Sequence, residues 1–355
     1  MRDFYQNKTV LVTGHTGFKG TWLCRMLLEM GAKVVGYALQ PPTDPSMFEL
    51  VGVAEDIVSI VGDIRDLEHL RRVFSAHQPD VVVHMAAQPI VREGFANPVY
   101  TYETNVIGTV NLLEAVREND CVKSVVNVTT DKVYYNNEWV WGYRENDALD
   151  GFDPYANSKS CSELVTSSYK RAFFDHMDIA VSTCRAGNVI GGGDFAKDRI
   201  LPDCVRAVER GEVIVVRNPF SIRPYQHVLE PLYAYLLLAM RQYESKTEIE
   251  GCYNVGPDEY DCITTGELVD LFCSSWGEGC EWINRSEANA VHESGLLKLD
   301  CAKIKRVLGW KPFWNVATAI RRTVEWSKVY LDGGDVCGTM MRQITDYLDE
   351  RGGQS

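Results

Sequence analysis

The sequence predicts an α/β fold, a doubly wound parallel sheet with a smaller mixed lobe after it. Through the first 190 residues, short β-branched runs alternate with helical patterns, and the runs are almost continuously apolar, as strands are when both faces of a sheet are covered. From Gly191 this alternation gives way to a glycine cluster and shorter elements. We therefore expect one domain at 1–190, to which 228–257 return, and a second lobe formed mainly by 191–227 and 258–355.

The predicted elements follow in chain order. Strands are expected at residues 8–14, 33–39, 56–63, 80–87, 122–130 and 178–187, and helices between them at 17–30, 66–77, 98–118 and 154–174. In the second half, the pattern predicts a strand at 213–218 and helices near 200–211, 228–243, 264–274 and 315–331. Strands separated by helices need crossover connections, which is why the predicted sheet is parallel.

Composition excludes several classes of partner. The formal net charge of −13 gives no general attraction to nucleic acid or to anionic membranes. No apolar stretch is long enough to cross a bilayer, and the amino terminus lacks the apolar segment of a signal peptide, so we expect a cytoplasmic protein. The eleven cysteines include no C-x-x-C pair, which favours reduced thiols and predicts no metal site.

A glycine-rich segment, "TGHTGFKG", follows the first predicted strand and opens a helix. Glycines at this point permit a tight turn and let the backbone approach a pyrophosphate, which the amino end of the helix then binds. The segment therefore predicts a dinucleotide site. We call it the cofactor loop; its candidate binding residues are Gly14, His15, Thr16, Gly17, Phe18 and Gly20.

Further cofactor contacts are expected at the ends of the third and fourth strands. Asp63 is placed to accept from an adenine amine, and its alternative role is to cap the helix predicted from Asp66. Ile64, Ala86 and Ala87 are the other candidates, the two alanines being small enough for a cofactor to lie flat. The end of the second strand offers neither an acidic residue for a ribose nor an arginine for a 2′-phosphate, and we expect NAD rather than NADP.

A catalytic pair is predicted on the helix at 154–174. Tyr155 and Lys159 are four residues apart and therefore share one helix face, and Thr130 ends a strand about twenty-five residues earlier. A phenol with its ordinary pKa of about 10 is a weak base at neutral pH, but a neighbouring ammonium and a cationic nicotinamide ring both favour the phenolate. Such a tyrosine can take a proton from a sugar hydroxyl.

With these residues in view, the chain resembles the extended short-chain dehydrogenase/reductases, which have a Rossmann domain, and within them the CDP-glucose 4,6-dehydratase group. The resemblance rests on "GHTGFKG", "HMAAQPIVR", "TTDKVYYNNEWVWGYREN", "DPYANSK", "RAGNVIGGGD", "RNPFSIRPYQHVLEP" and "LKLD". It implies that Thr130, Tyr155 and Lys159 carry the redox chemistry, the last two also contacting NAD. Asp131 and Lys132 are then the dehydration pair, where dTDP-glucose enzymes have Asp-Glu.

The resemblance implies conversion of CDP-D-glucose to CDP-4-keto-6-deoxy-D-glucose and water. Oxidation at C4 acidifies the C5 proton, water leaves across C5 and C6, and the hydride returns to C6. Our hypothesis is that Asp131 protonates the departing hydroxyl and that Lys132 assists deprotonation at C5 or stabilises the enolate. Three alternatives stay open: a nucleotide-sugar epimerase, a dehydratase for another nucleotide sugar, and a non-catalytic dinucleotide sensor.

The substrate side is predicted from three residues that the resemblance singles out. Asn188 is expected to contact the pyrophosphate, and Arg217 and Arg223 to clamp the nucleotide and its phosphates. Trp139, Trp141 and Tyr143 alternate along the chain, as in a lid over the sugar or in packing between lobes.

Two histidines and two long helices complete the predictions. His84 and His227 are expected to make structural hydrogen bonds rather than to act in catalysis. A homodimer or a dimer of dimers is expected, with the helices at 98–118 and 154–174 at the seam usual in this superfamily.

Overall fold

Seven parallel strands form the central sheet of the protein. The computed structural model describes residues 1–285 and 295–352. Six strands come from the first half, β1 to β6, and a seventh follows much later in the chain; their spatial order is seventh-β6-β5-β4-β1-β2-β3. Their bounds are Thr9–Thr13, Lys33–Ala38, Val58–Val61, Val81–His84, Ser124–Val128, Ala180–Ala186 and, for the seventh strand, Cys252–Val255. The predicted doubly wound parallel sheet is confirmed.

The six predicted strands all exist, but β3 differs in its surroundings from the expectation. It lies at the edge of the sheet, and three of its four residues are exposed. The side chains of its apolar residues Val58 and Val61 are about half exposed, whereas β5 and β6 are buried along their whole length. An apolar run thus predicted the strand but not its position in the sheet.

Helices cover both faces of the sheet and build the second lobe. The α-helices are Arg2–Tyr5, Phe18–Glu29, Met47–Leu50, Leu67–His77, Val91–Ala96, Pro98–Tyr102, Gly108–Arg117, Pro154–Ala172, Ile200–Glu209, Leu229–Glu244, Lys246–Ile249, Thr265–Trp276, Ala302–Leu308, Val316–Leu331 and Val336–Gly352. Shorter 3₁₀ turns occur at Val53–Glu55, Asp131–Val133, Phe174–His176 and Glu259–Asp261. The helix Val336–Gly352 was not among the predicted ones.

The helix predicted at 98–118 is present but is not α-helical throughout. A π-helical segment, Glu103–Ile107, separates Pro98–Tyr102 from Gly108–Arg117. At its end Gly108 lies against Ile64, so closely that a Cβ at position 108 would be 2.5 Å from the Ile64 Cγ2. The π turn, which has one residue more than an α turn, thus ends where the helix packs closely against the loop that follows β3.

Alternate residues of the strands divide the core between the two faces. Val10 and Val12 pack on one face with the helices Phe18–Glu29, Leu229–Glu244 and Val336–Gly352. Leu11 packs on the other face with Leu67–His77 and Gly108–Arg117. Near-complete burial of both faces explains the continuous apolar runs of the sequence.

The second lobe has a separate core and three short strand pairs. Ile214–Val216 pairs with Trp282–Asn284, Ile222–Arg223 with Ile263–Thr264, and Val189–Ile190 with Gln226–His227. Its core is formed by apolar residues of Ile200–Glu209, Thr265–Trp276 and Val316–Leu331. A capping box, in which Thr264 and Glu267 exchange side-chain and backbone hydrogen bonds, fixes the start of Thr265–Trp276. Arg217 directly follows the strand Ile214–Val216, and Arg223 ends the strand Ile222–Arg223.

Candidate active site

The candidate residues gather at the carboxyl ends of β1, β4 and β5, where ligands bind in parallel α/β sheets. The cofactor loop follows β1, Ala86 and Ala87 follow β4, and Thr130 follows β5. Because β4 lies between β1 and β5, these three segments are neighbours in space.

The three glycines of the cofactor loop are required for different reasons. Gly14 has a φ of +78°, and a Cβ there would lie 2.9 Å from the Ala86 nitrogen. A Cβ on Gly20 would lie 2.1 Å from the Gly14 carbonyl oxygen, so the helix could not pack on the turn. A Cβ on Gly17 would meet nothing closer than 3.5 Å, and its φ of −83° suits any residue. Packing within the protein does not require glycine at position 17, which leaves close approach of a cofactor to the backbone as the reason for it.

His15 explains why the second strand contains Gly36. Its imidazole lies over Gly36, where a Cβ would be 2.3 Å from the ring. Nε2 of His15 is 2.8 Å from the Ser59 hydroxyl, and burial lowers the pKa of His15 to about 4, so the ring is neutral. Thr16 donates to the Leu39 carbonyl at 3.0 Å, which ties the cofactor loop to the end of β2.

Asp63 is engaged by Arg65 and does not cap a helix. The Arg65 guanidinium lies 2.7 Å from its carboxylate, and hydrogen bonds from Arg65 lower the pKa of Asp63. The helix Leu67–His77 is capped by Asp66, which accepts from the His69 nitrogen at 2.9 Å, so the alternative capping role of Asp63 is wrong. The side chain of Ile64 is buried against Gly108.

Tyr155 and Lys159 lie in the first turns of Pro154–Ala172, here called the catalytic helix. Asp153 caps it by accepting from the Ala156 nitrogen at 3.0 Å, and proline occupies the first helical position, where it needs no N–H partner. Both side chains are almost fully buried, and the Lys159 ammonium donates to the Val128 carbonyl at 3.1 Å. Lys159 is thus attached to the last residue of β5, two residues before Thr130.

Thr130, Asp131 and Lys132 form a compact turn after β5. The Thr130 hydroxyl donates to Oδ1 of Asp131 at 3.0 Å, and Nζ of Lys132 donates to the same oxygen at 2.9 Å. Asp131 is fully buried, and its Oδ2 has no hydrogen-bond partner among the described residues. Lys132 keeps a third of its side chain exposed. One carboxylate oxygen is therefore held by two side chains, and the other is buried with its hydrogen-bonding capacity unused by the described residues.

The electrostatics of the catalytic helix are dominated by burial. Burial raises the pKa of Tyr155 to about 12, against the opposing effects of a hydrogen bond with Thr130 and the charge of Arg199. Burial lowers the pKa of Lys159 to about 7, helped by the charge of Lys19 and opposed by that of Glu163. A phenol kept protonated beside an amine with a lowered pKa is a typical catalytic arrangement.

Sequence reasoning missed two cations of this centre, Lys19 and Arg199. Burial lowers the pKa of Lys19 to about 8, and the charges of Arg199, Asp131 and Lys132 also act on it. Arg199 pairs with Asp194 at 2.7 Å, and this charge raises the pKa of the guanidinium. Lys19 lies inside the cofactor loop itself, so a lysine in this glycine-rich segment was a sequence signal that could have identified it. Arg199 comes from the glycine cluster, and no local pattern marks it.

A buried network supports the catalytic residues from behind. Glu163, one turn after Lys159 on the catalytic helix, accepts from the hydroxyls of Thr129 and Thr183 at 2.5 and 2.7 Å. The Arg185 guanidinium completes the set at 2.9 Å, and both ionised side chains are 3% exposed. We call these four residues the Glu163 network. It fixes the catalytic helix against the ends of β5 and β6.

The three predicted substrate residues occupy different settings. Asn188 has a buried Oδ1 without a hydrogen-bond partner in the described part of the chain. Arg223 is buried and donates to the Ile222 carbonyl at 2.9 Å, whereas Arg217 is exposed and lies 3.4 Å from Asp198. All three remain predicted contacts.

The aromatic run packs between segments. Tyr143 is buried, stacks on Tyr134 at 5.2 Å and exchanges backbone hydrogen bonds with Lys298 and Asp300. Trp139 packs against the Tyr143 ring at 5.4 Å. Packing between lobes therefore describes Tyr143, whereas Trp141 is 64% exposed.

Both predicted structural histidines make hydrogen bonds inside the fold. His84 contacts the hydroxyls of Thr13 and Thr109 through its two ring nitrogens, and Nδ1 of His227 accepts from the Leu229 nitrogen. Burial lowers the pKa of each ring to about 3. Both are neutral core residues at physiological pH.

The family is decided by comparison with known proteins. The model of the family described as GDP-mannose 4,6 dehydratase matches residues 11–323. The chain belongs to this dehydratase family. It is 47% identical over 352 residues to the CDP-glucose 4,6-dehydratase of Salmonella typhimurium, and the match covers 98% of each chain. It is 27% identical to the dTDP-glucose 4,6-dehydratase of Shigella flexneri, over 89% of this chain and 92% of that one. The resemblance seen in the motifs is confirmed.

Solved structures similar to this dehydratase-family chain include complexes with NAD. The dTDP-glucose 4,6-dehydratase of Bacillus anthracis, in complex with NAD, matches with a TM-score of 0.76 and 22% identity over 92% of this chain and 98% of that chain. The UDP-glucose 4-epimerase of Thermus thermophilus, also complexed with NAD, matches with a TM-score of 0.77 and 25% identity over 90% and 99%. The first likeness shows the fold. No helix among the described residues could cross a membrane.

Proposed function

We propose that the protein is a hydro-lyase that converts CDP-D-glucose to CDP-4-keto-6-deoxy-D-glucose, with NAD as its cofactor. The observation that carries the proposal is the turn after β5, where the buried Asp131 and the adjacent Lys132 stand next to a Thr130-Tyr155-Lys159 set. An epimerase needs the redox set alone. The additional acid and amine supply what an elimination requires.

The proposed cofactor site has two parts. The cofactor loop would hold the pyrophosphate through Gly14, His15, Thr16, Gly17, Phe18 and Gly20, because no side chain caps the helix Phe18–Glu29 at Gly17. Asp63, Ile64, Ala86, Ala87, Tyr155 and Lys159 would contact the remainder. When bound, NAD would supply hydride acceptance at sugar C4 and hydride donation at C6. We assign this site to residues 1–190 with 228–257, and substrate binding mainly to 191–227 and 258–355.

In the oxidation step, Oη of Tyr155 receives the proton of the C4 hydroxyl. A pKa of about 12 keeps Tyr155 protonated at neutral pH, so Thr130, whose hydrogen bond lowers this pKa, and Arg199, whose charge also lowers it, favour the phenolate that accepts the proton. The Lys159 amine is fixed by the Val128 carbonyl, which orients it along the same helix face. Burial of both side chains excludes water from the proton transfer.

In the elimination step, Oδ2 of Asp131 donates a proton to the C6 hydroxyl, which leaves as water. Oδ2 suits this role because Thr130 and Lys132 engage only Oδ1. The Lys132 ammonium first passes a proton to the Asp131 carboxylate through the hydrogen bond between them, and the neutral amine then takes the C5 proton; the ammonium so restored stabilises the enolate. Asn188, Arg217 and Arg223 would bind the diphosphate and nucleotide.

We further propose that the protein acts in the cytoplasm as a homodimer or a dimer of dimers. Exposed apolar side chains lie along the helices between residues 91 and 117 and on the catalytic helix: Phe95, Val99, Ile107 and Leu164. Exposed apolar side chains on helices that pack together favour association. Sedimentation analysis of a Val99→Glu, Leu164→Glu double variant tests it; dissociation supports this seam, and an unchanged oligomer contradicts it.

The function is tested by incubation of the purified protein with CDP-glucose in deuterated water, with dTDP-glucose and GDP-mannose in parallel. We expect a CDP-4-keto-6-deoxyglucose product with deuterium at C5, observed by NMR and mass spectrometry. CDP-galactose as the product would show an epimerase instead. Turnover of another nucleotide sugar alone would retain the dehydratase and contradict the cytidine assignment.

The Asp131→Asn variant separates the two steps. We expect loss of dehydration by roughly a hundredfold or more, because the amide cannot donate the acid proton, while C4 oxidation persists. Mass spectrometry should then detect the C4-oxidised sugar that has not lost water. Lys123→Gln, at the amino ends of the strands, is the matched control and should behave as the wild type. Full dehydration by Asp131→Asn would contradict the assigned role.

A further inference from the structure

Two arginines from different parts of the chain converge on a single carboxylate oxygen. Oδ1 of Asp198 lies 3.0 Å from Nη1 of Arg92 and 3.4 Å from Nη2 of Arg217. Arg92 is on the helix Val91–Ala96, beside the sheet, whereas Arg217 follows the strand Ile214–Val216 of the second lobe. Asp198 lies in the loop before Ile200–Glu209. The cluster thus joins the helix Val91–Ala96 to the second lobe.

The cluster lies next to the catalytic centre. A Cβ on Gly94, in the helix that carries Arg92, would be 3.1 Å from the Tyr155 nitrogen, so this helix packs on the start of the catalytic helix. The residue after Asp198 is Arg199, whose charge acts on the pKa of Tyr155. A group bound between Arg92 and Arg217 would therefore be close to a sugar held at Tyr155.

The charges of the cluster do not balance. Two guanidinium groups face one carboxylate, which leaves one positive charge in a chain whose net charge is −13. The side chains of Arg92, Arg217 and Asp198 are 59%, 48% and 36% exposed, and ion pairs with this exposure contribute about 0–1 kcal/mol. A diphosphate carries two negative charges and accepts stronger hydrogen bonds from arginine. It can therefore replace Asp198.

The backbone conformation of Asp198 is consistent with release of its carboxylate from the two arginines. Its φ is +60°, in the left-handed region that few residues other than glycine adopt, although aspartate tolerates it better than most. The loop holds this conformation while its side chain reaches both arginines. Release of the carboxylate would leave the loop free to relax.

We propose that Arg92 is a second cationic contact for the diphosphate of the nucleotide sugar, opposite Arg217, and that Asp198 occupies their common anion position until the substrate displaces it. The inference rests on the proposed function for the identity of the substrate. It adds a binding residue from the motif "HMAAQPIVR" and a competing internal anion.

The first test compares Arg92→Gln with the wild type by steady-state kinetics on CDP-glucose and by calorimetric titration with CDP. Loss of one charge-assisted contact should raise KM and the Kd for CDP about tenfold while kcat stays within about twofold. Arg92→Lys should recover part of the affinity. The control is Lys123→Gln, which removes a cation from an exposed pair with Asp178 and should change neither constant. Unchanged KM and Kd in Arg92→Gln would overturn the inference.

The second test is Asp198→Asn, which keeps the shape and tolerates the same backbone conformation. We expect the Kd for CDP to fall about threefold, because the neutral amide no longer competes for the arginines. A rise in Kd would mean that Asp198 positions the arginines, and would refute its role as a competing anion.

The outcomes separate this inference from the proposed function. A wild type that dehydrates CDP-glucose, with an Arg92→Gln variant of equal KM, would refute the inference alone. A wild type without dehydratase activity whose affinity for CDP depends on Arg92 would refute the proposed function alone. Failure of the wild type to bind CDP would refute both.

Discussion

The catalytic residues and the candidate substrate residues are held by different kinds of structure. Tyr155 and Lys159 lie on a 19-residue helix, and Thr130 follows a fully buried strand. Arg217 and Arg223 instead lie on or beside strands of two or three residues, and Asn188 lies in a loop. The ion pair behind the catalytic helix is 3% exposed, whereas the arginines around Asp198 are about half exposed.

This difference indicates what each half contributes. Proton transfer requires fixed distances, and the Glu163 network provides them through buried, mutually satisfied groups. Binding of a charged diphosphate tolerates movement, and weak exposed pairs can exchange partners. Substitutions of the catalytic residues and of the Glu163 network should therefore change kcat or stability. Substitutions of the candidate substrate residues should change KM.

The largest effect is expected for Tyr155→Phe. Removal of the hydroxyl that exchanges the C4 proton should lower kcat by roughly a thousandfold, within the range of general acid–base catalysis, with little loss of stability. Turnover of CDP-glucose and thermal unfolding measure the two quantities. Tyr169→Phe, on the same helix but bonded to Glu114, should retain activity. Substantial activity in Tyr155→Phe would contradict its role.

Glu163→Gln should produce the largest loss of stability. It leaves the Arg185 guanidinium buried without its counter-charge, which typically lowers the free energy of unfolding by about 3–5 kcal/mol. The urea midpoint is the measurement. Glu118→Gln breaks an exposed contact with Arg71 and should cost about 1 kcal/mol or less. Equal losses of stability in the two variants would contradict the view that the buried ion pair stabilises the fold more than exposed pairs do.

Lys159→Met should make stability depend less on pH. The folded pKa of Lys159 is about 7 against an ordinary 10.5, so as pH falls from 10.5 to 7 the unfolded chain binds the proton first and the native state loses stability. Below pH 7 the penalty is complete. We expect the variant to have a Tm about 3 °C above the wild type at pH 7 and no gain near pH 10. A gain independent of pH would contradict burial of the ammonium as its cause.

The smallest effect is expected for Asn188→Ala. Loss of one polar contact should raise KM for CDP-glucose about fivefold and leave kcat and Tm nearly unchanged. Asn119→Ala, which removes a hydrogen bond to the Ala115 carbonyl far from the site, should leave KM unchanged. A fall in kcat with constant KM would place Asn188 among the catalytic residues instead.

Much of the sheet was predictable because its strands are local apolar runs. The six strands from the first half all lie within the predicted ranges. The strand Ile214–Val216 lies inside the one predicted at 213–218, whereas the seventh strand, Cys252–Val255, was missed because it depends on a partner far away in the chain. The π turn before Gly108 depends likewise on packing against Ile64.

The candidate site was predictable where spacing along one element carries it. Tyr155 and Lys159 share a helix face, and Glu163 repeats the same four-residue interval, so helical periodicity could have revealed it. Asp63 was assigned without its partner Arg65, because the ion pair depends on side-chain conformation. Arg199 and the pairing of Arg92 with Arg217 through Asp198 arise from loop geometry, which no period in the sequence encodes.

The position of the seventh strand affects how the chain is made. It pairs with β6, whose seven residues are all buried. The helix Leu229–Glu244, which precedes the seventh strand, is also attached to the sheet, because the Ser124 hydroxyl at the start of β5 donates to the Ala239 carbonyl. Until residue 255 leaves the ribosome, β6 is a sheet edge with unpaired backbone N–H and C=O groups, of the kind that recruits other chains. A chain that ends after residue 190 would therefore aggregate. Chaperones that bind the nascent chain should prevent aggregation most effectively while the sixty-odd residues between β6 and the seventh strand are being synthesised.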